Sequence, residues 1–356
     1  MRIVHVVHCL DVGGQERLIL SLSRALVSRG HEVHVVSLTP NGALRAEFGA
    51  IRVHDVPRRP GVDLLIVPRL AALFRRLRAD VVHTHNPSPF FPAVPAARLA
   101  GVRRVVHTKH GANIYGPRAL WASRVLVRGL SALVAVSKET AETARTKERA
   151  PERLLHVVPN GIPLADFGPN VEARARIRRE LGIPDEAFVV GTVGRLAVEK
   201  DYPLLVRAMA PLLGEGVRLV LVGEGAARRD IEAAIDERIR PYVVLTGARR
   251  DVPDLLASFD VFSLTSKTEG LPLAVPEAMT CALPVVATAV GGLPSIVPED
   301  TGMLVPYGDA QGLTRAFDRL RGDAELRRAM GERARAYALA TFSLESMTDA
   351  YEALYQ

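Results

Sequence analysis

Twice along the chain, short runs rich in β-branched residues alternate with segments of helical periodicity, and that alternation fixes the class of fold before any single residue matters. The first series runs RIVHVVHCL, ERLILSLSRALVSRG, HEVHVVSL, VPRLAALFRRLR, ADVVHTH, PAARLAGV, RRVVHTKH and SALVAVS. The second runs FVVGTVG, DYPLLVRAMAPLL, VRLVLVG, AARRDIEAAIDERI, VVLTG, DVFSLTS, PVVAT and GMLVP. Apolar runs of strand length separated by helices predict βαβ units, and hence parallel sheets covered by helices on both faces. At 356 residues the chain exceeds one ordinary core, so the two series predict two Rossmann-like α/β domains in tandem. The Pro- and Gly-rich stretch VVPNGIPLADFGPN separates them. We expect an N-terminal domain over 1–163, a C-terminal domain over 164–340, and a last helix over 341–356 of a kind that can return to the first domain.

No apolar run approaches the roughly 20 residues that cross a bilayer. MRIVHVVHCL lacks a small-residue cleavage site and reads as a strand, not a signal peptide. Cys9 and Cys281 fit no metal or disulfide spacing, which suits a reducing, cytoplasmic setting. Charge is unevenly spread. Residues 1–165 hold 24 Lys or Arg against 11 Asp or Glu, whereas the remainder holds 22 against 28. A basic first half favours an anionic partner such as lipid headgroups, a pyrophosphate-linked lipid or nucleic acid, and an arginine-rich proteome explains it equally well. For contact with anionic membrane the residues are Arg69, Arg75, Arg76 and Arg78, and Arg118, Arg124 and Arg128 around Trp121. An ordinary amphipathic helix accounts for the same residues.

Ligands of open parallel sheets bind at the carboxyl ends of strands, which directs attention to the residues there. After the first strand Gly13 and Gly14 let backbone approach a ligand at a helix start, although a tight turn uses the same pair and no GxGxxG is present. Further strands end in His83, His85 and Asn86, in Lys109, His110 and Gly111, and in Ser137, which together predict a polar pocket. No carboxylate or Cys accompanies these histidines at ligand spacing, so no metal is expected. In GTVGRLAVEKD, Arg195 and Lys200 stand where a strand passes into a helix, an arrangement suited to a diphosphate. The bland reading is a solvated helix start in which Glu199 balances Lys200. VGEG, with Gly223, and TG, with Gly247, are strand-end turns able to pass beneath a nucleoside.

The stretch SKTEGLPLAVPEAMTCALPVVAT places Glu269 and Glu277 eight residues apart. Pro272 and Pro276 rule against a continuous helix between them. Pro276 suits the first turn of a helix through PEAMTCAL, which puts Glu277 at that helix's anion-favouring end and Glu269 in the preceding loop. The amides of Gly270, Leu271, Leu273 and Ala274 then face a ligand while the carboxylates accept from hydroxyls. A polyhydroxylated ligand with a phosphate uses every part. Taken alone, the stretch also reads as a dipole-stabilising Glu277 and a surface Glu269.

The ordered set Gly13-Gly14, His110-Gly111, Asn160-Gly161, Gly194-Arg195 with Lys200, Gly223-Glu224-Gly225, and Glu269 through Glu277 resembles the family-four retaining glycosyltransferases across nearly the whole chain. The resemblance implies the GT-B fold, two Rossmann-like domains facing each other across a cleft. It implies a nucleotide sugar, UDP-linked first and GDP-mannose second, held by the C-terminal domain, and a hydroxyl acceptor, lipid-linked or a polysaccharide precursor, held by the N-terminal one. Arg195 and Lys200 would neutralise the donor diphosphate, Glu269 would hold the transferred sugar, Glu277 the ribose, and Gly14 would admit the phosphate. His110 would line the sugar pocket, with His85, Asn86 and Lys109 on the acceptor side. No Asp-x-Asp pair occurs, so a metal-bridged diphosphate is not expected, and the resemblance implies the nucleotide sugar as co-substrate with no cofactor and no nucleic-acid partner. Attack from the face of the departing diphosphate would retain the anomeric configuration. Pro163 departs from the family pattern, where Asp is common, and the segment ANIYGPRALWASRVLVRG follows no pattern. Two other readings fit the fold: a sugar-nucleotide epimerase and a non-catalytic nucleotide-sugar binder.

Overall fold

The computed structural model describes residues 1–59, 63, 65–111 and 115–356. They form two compact units, Met1–Ile162 with Leu344–Gln356, and Pro163–Ser343.

The first unit runs β1 (Arg2–Val7), α1 (Gly14–Ser28), β2 (Glu32–Ser37), β3 (Arg52–Asp55), α2 (Ile66–Leu77), β4 (Val81–His85), α3 (Pro87–Leu99), β5 (Arg104–Lys109), α4 (Pro117–Leu126), β6 (Ala132–Ala135), α5 (Lys138–Thr146) and β7 (Leu155–Val157). Its seven strands are parallel in the order β3-β2-β1-β4-β5-β6-β7, so the strand order reverses between β1 and β4. Helix α3 passes through Pro92 and Pro95, where periodicity alone starts a helix only at Pro95. Burial of Pro89, Phe90, Pro92 and Val94 against the core holds it despite the lost amide donors.

Strand alternation sends two chemically different faces to the two sides of this sheet. Val4, Val6, Val82, Leu70, Phe74 and Phe90 pack into an apolar core. On the opposite face His5 pairs in register with His83, and His85 with Thr108. The helix α14 (Leu344–Tyr355) covers this polar face, where Tyr355 Oη lies 2.7 Å from His83 Nδ1 and Tyr351 Oη 3.0 Å from Thr108 Oγ1. At the rim Glu352 joins Arg29 at 2.7 Å and His31 at 2.8 Å.

The second unit comprises α6 (Val171–Glu180), β8 (Phe188–Val193), α7 (Tyr202–Met209), β9 (Val217–Val222), α8 (Arg228–Ala234), β10 (Val243–Gly247), α9 (Val252–Ala257), β11 (Val261–Leu264), α10 (Ala274–Thr280), β12 (Val285–Thr288), α11 (Leu293–Ile296), β13 (Gly302–Val305), α12 (Ala310–Gly322) and α13 (Ala324–Thr341). Its six parallel strands lie in the order β10-β9-β8-β11-β12-β13, with the reversal between β8 and β11. Arg178, fully buried, fixes the entrance to these two strands. Its guanidinium donates to the carbonyls of Ser258, Asp185 and Ala187 and to Asp260, whose carboxylate also accepts from the Val189 amide.

Candidate active site

The strand order reverses between β8 and β11, and the carboxyl ends of strands at such a reversal are the standard place for a ligand on an open parallel sheet. After β8 the chain does not enter a helix at once, as the sequence led us to expect. A loop carrying Arg195 leads to a single 3-10 turn, Val198–Lys200, and α7 starts at Tyr202 after Asp201 in the left-handed region (φ 43°). Lys200 thus precedes the helix, and Tyr307 Oη donates to Asp201 Oδ2 at 2.6 Å to brace the bend.

From this turn the Lys200 ammonium reaches Glu269 Oε1 at 2.6 Å, and Ser266 Oγ donates to the same oxygen at 2.5 Å. The two side chains are only 18% and 9% exposed. With Oε1 doubly engaged, Oε2 has no hydrogen-bond partner among the described residues and can accept from a hydroxyl. Glu199 pairs with Arg195, at 3.0 Å, and not with Lys200, which corrects the charge balance read from sequence. Arg195 is 65% exposed in that pair, so its guanidinium can exchange Glu199 for another anion at little cost.

The two glutamates sit as the prolines dictate. Glu269 lies in the loop after β11, and α10 begins at Ala274 with Pro276 and Glu277 in its first turn and the Glu277 amide bonded to Leu273 O at 3.1 Å. Leu271 is buried, so its side chain anchors this loop. Gly270 O accepts from the Gly292 amide at 3.1 Å. Gly291 (φ 54°) lies so close that a Cβ there would stand 1.9 Å from Glu269 O. The sequence reading passed over Gly291 and Ser266; the Gly pair directly after the β12 run was the available signal. On the other flank, Gly223 (φ 143°) would place a Cβ 1.9 Å from Gly194 O, and its amide donates to Gly247 O at 3.0 Å. These two turns therefore bring three strand ends together.

In the first unit Gly13 caps α1 with φ −156°, extended backbone that any residue adopts, and Gly14 is the first helical residue. Asn86, at the start of α3, donates to Gln15 Oε1 and accepts from the His110 amide at 3.0 Å, tying the first turn of α1 to the end of β5. His110 is partly exposed and its Nε2 lies 3.1 Å from His85 Nδ1.

Two residues expected to meet an acceptor do not reach the surface. Lys109 is fully buried, with its ammonium on Glu148 and over the Tyr115 ring, while Ser123 donates to the other Glu148 oxygen at 2.7 Å. Burial pulls the Lys109 ammonium below its ordinary pKa and Glu148 opposes that shift. Its side chain alternates to the inside of β5, where a charge persists only when paired. His85 is also buried, behind His110. Residues 112–114 of the segment without a pattern lie outside the described residues.

His5, absent from the sequence reading, completes a cluster in which ring nitrogens of His5, His83 and His85 lie within 4.8 Å of one another. Both nitrogens of His83 and of His85 are engaged by neighbouring side chains. Burial pushes His5 down to about 3 and His83, His85 and His107 well below the usual imidazole value; the same loss of hydration takes His110 to about 3. The cluster is therefore a network of neutral imidazoles.

The membrane-contact residues also separate. The apolar face of α2 is buried in the core, and Arg69 and Arg75 donate to the carbonyls of Pro57 and Leu99. Helix α4 instead leaves Trp121 and Val125, one turn apart, 68% and 47% exposed, with Arg118 and Arg128 exposed on the same segment.

Residues 12–166 match the family model described as Glycosyltransferase Family 4, and residues 187–323 that described as Glycosyl transferases group 1. A GDP-mannose-dependent alpha-mannosyltransferase of Mycobacterium tuberculosis is 33% identical, over 84% of this chain and 82% of its own. The UDP-Gal:alpha-D-GlcNAc-diphosphoundecaprenol alpha-1,3-galactosyltransferase of Escherichia coli is 28% identical, over 82% and 79%. Among solved structures, Anabaena Alr3699/HepE in complex with UDP shares the fold with a TM-score of 0.88, covering 99% of both chains at 22% identity.

Proposed function

The chain belongs to glycosyltransferase family 4 and has the GT-B fold, and from that premise we propose that it is a retaining hexosyltransferase that takes its sugar from a nucleotide sugar, a UDP-sugar first and GDP-mannose second, and delivers it to a hydroxyl of a lipid-linked or polysaccharide precursor. The observation that carries this reading is the set Arg195, Lys200, Ser266 and Glu269 at the reversal between β8 and β11.

Arg195 turns from Glu199 to grip the diphosphate as a fork, and Lys200 meets it as a point charge. Negative charge grows on the departing diphosphate as the bond from the anomeric carbon to oxygen lengthens, and cations fixed beforehand lower that barrier. Glu269 Oε2 accepts a hydroxyl of the transferred sugar, and Glu277 accepts the ribose hydroxyls. The acceptor oxygen attacks from the side the diphosphate leaves, and its proton passes to the leaving phosphate oxygen, so the configuration is kept. Glu269 is a positioning group in this scheme, and no covalent sugar-enzyme bond is formed. We expect no metal requirement.

Thermal shifts with UDP-glucose, UDP-galactose, UDP-N-acetylglucosamine and GDP-mannose would rank the donors. Incubation with the ranked donor and polyprenyl-diphosphate sugars should then release the nucleoside diphosphate and yield an α-linked product by NMR. A β-linked product removes the retaining mechanism. Donor isomerisation without acceptor assigns an epimerase, and tight donor binding without turnover assigns a binding protein.

The exposed Trp121-Val125 stripe flanked by Arg118 and Arg128 supports delivery to an acceptor seated in anionic membrane. Among the described residues no helix is long and apolar enough to cross a bilayer, so contact would be peripheral. Co-sedimentation with phosphatidylglycerol vesicles that exceeds that with phosphatidylcholine, and that falls in Trp121→Ser, is expected; equal binding to both overturns it.

A further inference from the structure

Three imidazoles of the first unit form one unbranched chain: His5 Nδ1 lies 3.0 Å from His85 Nε2, and His85 Nδ1 lies 3.1 Å from His110 Nε2. His5 and His85 are fully buried; His110, at the far end, is partly exposed. We propose that His5 and His85 are positioning residues that hold His110 as its Nδ1-protonated tautomer, so that its ring offers an N–H to an oxygen of the bound substrate.

A neutral imidazole has one N–H and one lone pair, so in a chain of three every proton must point the same way. Two directions exist. In one, each ring donates toward the interior and the last N–H falls on His5 Nε2, a buried atom with no hydrogen-bond partner. In the other, His5 Nδ1 donates to His85, His85 Nδ1 donates to His110, and only a lone pair is left at His5 Nε2. Orphaned buried N–H groups are rare, and under-satisfied acceptors less so, which selects the outward direction. The outward direction leaves the proton on His110 Nδ1, which has no partner among the described residues. Removal of the rings from water keeps all three neutral, so the direction is not scrambled by protonation at ordinary pH.

The rest of the surroundings hold the chain in line. His85 lies against His83 with centroids 4.0 Å apart and the rings tilted by 36°, and His83 is fixed by Tyr355 and Thr108. The His110 backbone is held by Asn86 Oδ1. His110 therefore has a fixed position and, through His5, a fixed proton. Its contact with substrate rests on the function proposed above; its tautomer does not.

The test is a long-range proton–nitrogen correlation spectrum of the full, 15N-labelled chain without substrate, with His110 assigned by its loss in His110→Phe. The expected pattern is a protonated Nδ1 and an unprotonated Nε2. A protonated Nε2, or signals averaged between the tautomers, overturns the proposal whether or not the His5 variants fold. His5→Leu removes the terminal donor and should let His110 average; His5→Asn, whose amide replaces the Nδ1–H, should restore the single tautomer. With UDP-glucose or GDP-mannose, whichever is turned over, His5→Leu should lower kcat about tenfold, the rate equivalent of one neutral hydrogen bond, with donor KM little changed, and His5→Asn should recover most of it. A fixed tautomer with no turnover of any donor leaves the chain standing and removes the proposed function. Turnover with a protonated Nε2 does the reverse.

Discussion

The Lys200 ammonium stands 2.6 Å from Glu269 Oε1 although 69 residues separate them, and the Ser266 hydroxyl shares that oxygen. In the proposed donor site Lys200 and Glu269 already hold each other, so a donor would gain a cation and a carboxylate whose positions are fixed before it arrives.

Because the pair acts as one unit, Glu269→Gln and Lys200→Met should each lower kcat/KM about 10²-fold, and the double variant should be scarcely worse than either. Steady-state release of nucleoside diphosphate in a double-mutant cycle measures this; independent, multiplying losses would show that the two act separately.

Arg195 should behave differently. It is mostly exposed beside Glu199, so Arg195→Ala should change stability by no more than about 0.5 kcal/mol while lowering kcat/KM about 10²-fold. Urea unfolding and donor kinetics on the same preparation provide both readings, and an unchanged kcat/KM removes Arg195 from the diphosphate.

Acid should weaken the first unit before the second. His5, His83, His85 and His107 are buried and stay neutral in the fold, whereas the unfolded chain protonates them near 6.5. Their contribution is fully present above that value and is lost as pH falls below it, for His5 down to about 3. Each group weakens the fold by about 1.4 kcal/mol per pH unit in that window. Trp121, the single tryptophan, reports the first unit, so its fluorescence transition in urea should move to lower urea between pH 7 and 5.5. An unmoved midpoint would falsify the neutral network.

Glu148→Ala would leave the Lys109 ammonium buried without its partner and should cost about 3–5 kcal/mol. Removing both charges in Lys109→Met with Glu148→Leu should recover most of that loss by urea denaturation. A pair that served an acceptor rather than the core would instead lower activity with little change in stability.

Where the sequence was informative, the reason is local. Period-two and helical patterns follow from backbone sterics and burial, so most of the strands and helices, and the strand-end positions of Arg195 and Glu269, could be read directly. The prolines at 272 and 276 placed Glu269 in a loop and Glu277 in a first helical turn, as the structure has them. Lys109 and His85 were misread because a strand-end residue faces ligand or core according to its phase in the pleat and to what covers it. Neither Glu148, 39 residues beyond Lys109, nor His5, 80 residues before His85, announces itself as a partner.

The sequence by itself determined two parallel α/β series, the break between them and the residue types at the strand ends, because those depend on contacts within a turn or a pleat. Only the tertiary structure decided which charges and rings meet. Lys200 with Glu269, Lys109 with Glu148, and the line from His5 to His110 exist because strand order and register bring distant positions to one edge, and burial then requires that every polar group find a partner.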